Sequence, residues 1–303
     1  MPLHSVPVSR RQFLASSAAA LAGLSIIRVA PAALSSDVLR LSLLSDTHVE
    51  ADPAKVARNI NMTDNLRQVV KEVLAQPKKP DGVLVNGDVA FNSGRPGDYE
   101  NFAQLIQPLL DAKLPLHLTM GNHDARDALY GSLANQRPTH PFVESKHITL
   151  LETPVVNLFL LDSLTKTNVV TGEFGKEQLE WLAKGLDARA DKPAVIIAHH
   201  PCQFTPPAEG KPWGGLADTG EFIEVLKSRP QVKAFIFGHT HVWGVSRHDN
   251  LHMINLPPTA YIFKDELPNG WVAAEFTPSG LTLQLNCLKP SHPEHQKVVK
   301  LDW

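Results

Sequence analysis

The sequence predicts an α/β fold in which buried sheets are flanked by helices, and three observations carry that reading. Short continuous apolar runs alternate with longer segments of helical periodicity, the pattern of strands covered on both faces. Residues able to do chemistry recur just after the ends of those runs, where open α/β sheets place their ligand sites. The chain has 303 residues, 43% of them apolar, enough for a large core and near the upper size of a single domain.

Taken in order, residues 39–44 read as an apolar strand leading to Asp46. Residues 56–75 have helical periodicity and stop before Gln76-Pro77. Residues 82–86 form a short apolar strand ahead of Asp88, residues 99–112 a helix, and residues 116–120 a strand leading to Asn122. A strand is expected at 155–162, a helix with charges on one face at 176–189, and a strand at 194–198 ending at His199. A helix at 221–228 and a strand at 232–237 lead to His239. Residues 242–287 have the short runs and turns of β-hairpins, and 289–303 read as a polar tail with Pro290 and Pro293.

Four motifs lie in order along this frame: Ser45-Asp46-Thr47-His48, Gly87-Asp88, Gly121-Asn122-His123-Asp124 and Gly238-His239-Thr240-His241. Taken alone, Asp-x-His and Gly-Asp are usually surface turns, His-x-His occurs by chance, and the rarer Gly-Asn-His-Asp also fits a type I' turn. With His199 of Ala198-His199-His200-Pro201, they supply a ligand set for two adjacent metal ions. Asp46 and His48, like His239 and His241, are two residues apart, so both members of a pair can point to one side of a strand end. Asp88 can bridge, because its two oxygens can bind different cations. Asn122 offers an amide oxygen and His199 an imidazole nitrogen. Carboxylate, imidazole and amide together suit Zn, Mn or Fe better than Cu or Ca. A two-metal site clamps phosphoryl oxygens and generates hydroxide near neutral pH, so a phosphate ester is the expected substrate class.

The N-terminus has a different task. Ser9-Arg10-Arg11-Gln12-Phe13-Leu14 leads into an apolar run that ends before Arg28, and Ala30-Pro31-Ala32 offers a small-residue cleavage site. A charged start, an apolar middle and such an end make a secretory signal. The paired arginines resemble the twin-arginine export signal, which implies passage of an already folded protein through the twin-arginine machinery to the periplasm or beyond. The alternative is an uncleaved anchor, but the run falls short of the roughly 20 residues that span a bilayer. After cleavage no stable membrane association is expected. Residues 1–32 carry three arginines and no acid, so the net charge of -2 becomes about -5 in the mature chain. That acidity argues against nucleic-acid binding and a nuclease reading. Cys202 and Cys287 are the only cysteines and are read as separate buried thiols. Oligomeric state is not legible.

On its four motifs and His199, the chain resembles the calcineurin-like metallophosphoesterase superfamily over about residues 38–287. The resemblance implies a four-layer αββα sandwich spanning residues 33–288. It also implies a first metal held by Asp46, His48, Asp88 and His241, and a second held by Asp88, Asn122, His199 and His239. It gives His123 a substrate-facing role, protonating the leaving oxygen or steadying the phosphoryl charge, and makes Asp124 the residue that orients His123. Departures narrow the group. Asp124 stands where protein Ser/Thr phosphatases carry Glu, and Val89-Ala90-Phe91 follows Asp88. Phe91 occupies the place of the tyrosine ligand of purple acid phosphatases. A large C-terminal domain of the 5'-nucleotidase kind is not expected. What remains is similar to compact class III cyclic-nucleotide phosphodiesterases and glycerophosphodiesterases. The rival is a catalytically silent metal- or phosphate-binding protein on the same scaffold. His200 is a candidate to support a ligand, Phe91, Trp213 and Trp243 are candidates to line a pocket, His140 and His147 are expected on the surface, and 206–215 is expected to be a loop beside the site.

Overall fold

The computed structural model describes residues 37–303. The signal peptide read at 1–32 lies outside the described residues. Among the described residues, fourteen strands and five α-helices build two six-stranded sheets and a small hairpin. The first sheet starts with β1 (Leu39–Ser45), β4 (Gly82–Asn86) and β5 (Leu116–Thr119), which are parallel neighbours. Helices α1 (Met62–Leu74) and α2 (Pro96–Asp111) make their crossovers. The antiparallel strands β12 (Gly270–Thr277), β13 (Gly280–Cys287) and β14 (Val298–Asp302) complete it in the order β14-β13-β12-β1-β4-β5. The second sheet has β7 (Asn157–Leu160), β8 (Ala194–Ile197) and β9 (Val232–Phe237) parallel at its centre. Helices α4 (Lys176–Asp187) and α5 (Thr219–Lys227) connect them. Strands β6 (Thr149–Glu152), β10 (Gly244–His248) and β11 (Leu251–Asn255) extend its edges.

Alternation along each strand decides the layers. Leu39, Leu41 and Leu43 of β1 meet Leu158, Leu160, Val195, Ile197 and Ile236 in a core between the sheets. Val83 and Val85 of β4 face the other way, onto Leu66 and Val70 of α1 and Phe102 and Ile106 of α2. Phe159, Ile196 and Phe235 likewise face Leu182 and Phe222 of α4 and α5. Two sheets packed face to face with helices outside are the expected αββα sandwich.

Several elements differ from their sequence reading. Residues 56–61 are not helical; Val56–Ala57 (β2) pairs with Ile60–Asn61 (β3) across a turn at Arg58 and Asn59, both with positive φ. The helix starts only after Asn61, whose Oδ1 accepts from the Asp64 N–H at 3.0 Å, an N-cap that periodicity alone does not register. The segment 289–303 does not end as a polar tail, since Val298–Asp302 pairs antiparallel with β13. Its alternate residues Val299, Leu301 and Trp303 pack on the intersheet core, which outweighs the charged Lys300 and Asp302 between them. Finally, α3 (Arg126–Ser132) and β6 have no counterpart in that reading. They bury His147, which was expected at the surface. Its ring Nδ1 pairs with the Tyr130 hydroxyl at 2.9 Å and its backbone N–H donates to Asp162. His140 is exposed, as expected, and Cys202 and Cys287 are both free thiols.

Candidate metal centre

All nine sequence-selected residues lie at the C-terminal edges of the parallel strands, where the two sheets face one another. Asp46 and His48 follow β1, Asp88 follows β4, Asn122, His123 and Asp124 follow β5, His199 follows β8, and His239 and His241 follow β9. Strand pleating does not aim the ligand pairs. Asp46, His48, Asp88, His239 and His241 all lie beyond their strands with φ between 45° and 68°. Left-handed backbone costs a residue with a side chain about 1–2 kcal/mol, and such conformations persist where surrounding contacts over-determine them. Those contacts are present. The Asp46 N–H donates to Gly87 O at 3.2 Å, that of His48 to Asp88 O at 3.0 Å, and that of Val49 to Val89 O at 2.8 Å. On the other side, the N–H groups of Thr259 and Ala260 donate to Ser45 O and Asp46 O. A Cβ at Gly121 would overlap Asp88, and one at Gly238 would overlap Ser45 and Asp46. Both glycines allow the turns to close onto the ligands.

The side chains converge in three overlapping groups, each with its donor atoms within 4.8 Å of one another: Asp46, His48 and His241; Asp88, His199 and His239; and His48, Asp88 and His123. Asp88 joins the first two, since its Oδ2 lies 3.2 Å from His199 Nε2 and 3.8 Å from His48 Nε2. Asp46 Oδ1 lies 3.5 Å from His241 Nε2 and 3.9 Å from both His48 and His199. Backbone carbonyls set the imidazole orientations. Nδ1 of His48 pairs with Phe91 O at 3.2 Å, that of His199 with Asn86 O at 2.9 Å, and that of His241 with Tyr261 O at 2.6 Å. In each ring Nε2 is left for the centre, the arrangement by which outer hydrogen bonds fix a metal-binding tautomer.

The chemistry of these atoms fits cations. Asp46 Oδ1, Asn122 Oδ1 and His199 Nε2 are buried without a hydrogen-bond partner, and such groups ordinarily have one. The Nε2 atoms of His48 and His241 face each other at 3.0 Å, a contact between lone pairs unless something positive lies beside them. Burial opposes charge on His199, yet the carboxylates of Asp88 and Asp46 outweigh it and push that ring up to about 10. Burial pushes His48 and His239 down to about 4, keeping them in the neutral form that ligates metals. The donors are oxygen and nitrogen only, as borderline transition metals prefer. The arrangement is a dimetal site with His and Asp ligands.

His123 is more open than His48, His199 and His241, its side chain 24% exposed, with Nε2 4.0 Å from Asp88 Oδ2. Asp124 does not orient it. The His123 Nδ1 contact is to Asn92 O at 2.6 Å, while both Asp124 oxygens are occupied elsewhere. They accept from the N–H groups of Gly121, Ala90 and Val89 and from the Tyr99 hydroxyl. Burial and the neighbouring Asp88 raise its carboxyl to about 6, against the pull of those N–H groups. Asp124 therefore ties the turn after β4 to the turn after β5, and the catalytic assignment is corrected to a positioning one. Asp124→Ala should strand at least two buried N–H donors, at about 1–3 kcal/mol each, and lower the thermal midpoint by several degrees. A normal midpoint with a selective rate loss would restore the His123-orienting role.

His200 supports the site as a neighbour. Its Nδ1 pairs with Ser163 Oγ at 2.7 Å and its ring lies 4.8 Å from that of His239. Phe91 sits half-buried at the rim, with Lys55 Nζ 5.5 Å from its ring. Trp243, partly buried, packs on the intersheet core. Residues 206–215 form a loop, joined to the 163–172 segment through Gly172 N–H and Gly215 O. The sequence reading missed Tyr261 and Phe263, whose rings lie 5.0 and 4.6 Å from that of His241. Neither belongs to a motif, and only an aromatic pair at i, i+2 after Pro257-Pro258 marks them.

Known proteins place this arrangement. The chain is 27% identical over 254 residues to the 3',5'-cyclic adenosine monophosphate phosphodiesterase CpdA of Haemophilus influenzae, covering 80% of this chain and 87% of that one. It is 26% identical over 225 residues to the glycerophosphodiester phosphodiesterase GpdQ of Enterobacter lignolyticus, covering 73% and 77%. Its fold is similar to that of a dimetal phosphatase from Danio rerio, with a TM-score of 0.65 at 16% identity over 88% of this chain and 99% of that one. The model of the calcineurin-like phosphoesterase family matches residues 39–243, a span that holds every residue of the centre. The chain belongs to the calcineurin-like phosphoesterase family.

Proposed function

We propose that this protein is an exported phosphodiesterase, with one ion held by Asp46, His48, Asp88 and His241 and the other by Asp88, Asn122, His199 and His239. The observation that carries the reading is the pair of donor groups joined by Asp88. Family membership makes the chain a metal-dependent phosphoric ester hydrolase. The diester preference is supported by relatives named as phosphodiesterases. Iron, manganese or zinc suits the donors. When bound, such a pair supplies Lewis acidity and an activated water.

The chain's own residues do the rest. Neutral His48 and His239 present lone pairs, while the carboxylates of Asp46 and Asp88 fix where positive charge collects. His123 faces the same space from the more open side. Since Asn92 O holds its Nδ1, any proton exchanged with a leaving oxygen passes through Nε2. That path is general acid catalysis in an otherwise ligating shell. Export is supported by Arg10 and Arg11 in Ser-Arg-Arg-Gln-Phe-Leu.

A hydrolysis screen of the mature chain loaded with Mn, Fe or Zn tests the activity, using bis(p-nitrophenyl) phosphate, p-nitrophenyl phosphate, cyclic nucleotides and glycerophosphodiesters. Turnover of a diester ahead of the monoester is expected. Two ions bound with no turnover of any ester would mean a silent scaffold. Export is tested by fractionating cells that make the full chain or its Arg10→Lys, Arg11→Lys double variant; only the former should leave the cytoplasm.

The iron-loaded protein should lack a purple tyrosinate band. Phe91 presents its backbone carbonyl to His48 and has no phenol. Tyr261 meets His48 through its ring face, centroids 5.2 Å apart. An absorption band assigned to tyrosine-to-iron charge transfer would contradict this.

A further inference from the structure

The wall beside His48 and His241 carries more apparatus than metal binding needs. Its base is the segment around Thr259 and Ala260, held by the Ser45 and Asp46 carbonyls. Asn65 Nδ2 donates to Thr259 O and Ala260 O at 3.0 Å each, and Asn269 Nδ2 donates to Ala260 O at 2.8 Å. From this fixed base Tyr261 covers His48 and His241, with centroids 5.2 and 5.0 Å away. Phe263 lies 4.6 Å from His241 and is still 50% exposed.

The outer layer is a guanidinium. Arg58 lies 4.6 Å from the Phe263 centroid and 5.8 Å from that of Tyr261. It makes no hydrogen bond or ion pair among the described residues, so its donors remain available. It projects from the two-residue turn between β2 and β3, where Arg58 and Asn59 have φ of 50° and 63°. Such turns favour Asn-Gly, because both central residues are left-handed. Arginine has no local reason to stand there, and strain of this kind clusters at ligand clamps. A half-exposed phenylalanine, a packed tyrosine and an unpaired guanidinium together form a surface for one kind of guest. Rings stack on planar groups, and guanidinium stacks and donates in plane. An aliphatic polyol gains little from such a surface.

We propose that Tyr261, Phe263 and Arg58 bind the organic group of the phosphoester and select planar aromatic groups, of the aryl or nucleobase class, over aliphatic ones. This inference rests on the phosphoesterase reading and names what the same site selects.

The test compares bis(p-nitrophenyl) phosphate with glycerophosphoglycerol on the manganese-loaded protein. Phe263→Ala and Arg58→Ala should each raise KM for the aryl diester about tenfold, the scale of one stacking or cation–π contact. Their kcat should stay within about twofold, and KM for glycerophosphoglycerol should hardly move. Arg58→Lys keeps the charge and loses the plane, so it should resemble Arg58→Ala. Equal changes on both diesters, or none, would overturn the proposal. A second arm reads binding alone, by calorimetric titration of adenosine 5'-monophosphate and glycerol 3-phosphate. Phe263→Ala should weaken the first about tenfold and leave the second unchanged; equal weakening would overturn the proposal. If the wild type hydrolyses neither diester, the phosphoesterase reading fails, and the titrations still decide the wall. Arg58 is an exposed turn residue, so its variants keep the test sound if Phe263→Ala folds poorly.

Discussion

Asp88→Ala is expected to release both metal ions and to lower the rate by about 10³-fold or more, the scale of losing several kcal/mol of charge stabilisation. The expectation follows from position. Asp88 Oδ2 is the carboxylate oxygen near both His199 and His48, so one truncation removes a donor from each group. Its other oxygen accepts from the His123 N–H at 2.8 Å, so the variant also loosens the turn that presents Asn122 and His123. Asp88→Asn keeps an oxygen for that N–H but loses the charge. It should therefore retain the fold better than Asp88→Ala while still binding the ions weakly. Metal analysis of the purified variants, with thermal melts as a control, checks both. An Asp88→Ala protein that keeps even one ion at wild-type affinity would show that the two groups do not share this residue.

His123→Ala is expected to keep both ions and lose about 10²–10⁴ in rate, the usual scale of general acid catalysis. His123 is not needed to complete either ligand set, and its orienting contact is a backbone carbonyl that the substitution leaves in place. The loss should be larger for esters with alkoxide leaving groups than for p-nitrophenolate, which departs without a proton. Equal losses on both would mean that Nε2 steadies the phosphoryl charge instead of donating a proton. Loss of an ion would assign His123 to the ligand shell. Asn92→Ala keeps the carbonyl and should resemble wild type, which separates the backbone contact from any effect of the Asn92 side chain.

Much of the centre was legible in the sequence because its residues follow short apolar strands at fixed, local spacings. A buried strand declares itself by composition, and the side chains just past its end declare the chemistry. The alternation of such strands with helices likewise pointed to buried sheets, and β9 was placed to the residue. Where the reading failed, a local signal competed with periodicity or with polarity. Asn61 caps a helix that the pattern would start earlier, and Val299, Leu301 and Trp303 pack on a core that the intervening Lys300 and Asp302 disguise. The assignment of Asp124 failed for another reason. The resemblance implies that its carboxylate orients His123, but burial sends that carboxylate to backbone N–H groups on the turn after β4 and leaves His123 to Asn92.

The sequence by itself determined which donors this protein owns, their order, and the α/β frame that carries them, because these depend on residue type and on spacing within one element. Only the tertiary structure decided how they meet. It brought β1, β4 and β5 of one sheet opposite β8 and β9 of the other, pressed Gly121 and Gly238 against the ligands, and closed the wall of Tyr261, Phe263 and Arg58 over His48 and His241. Those contacts join residues as far apart as 46 and 241. They arise from the packing of two sheets through a common core, a long-range balance of burial that no local pattern along the chain encodes.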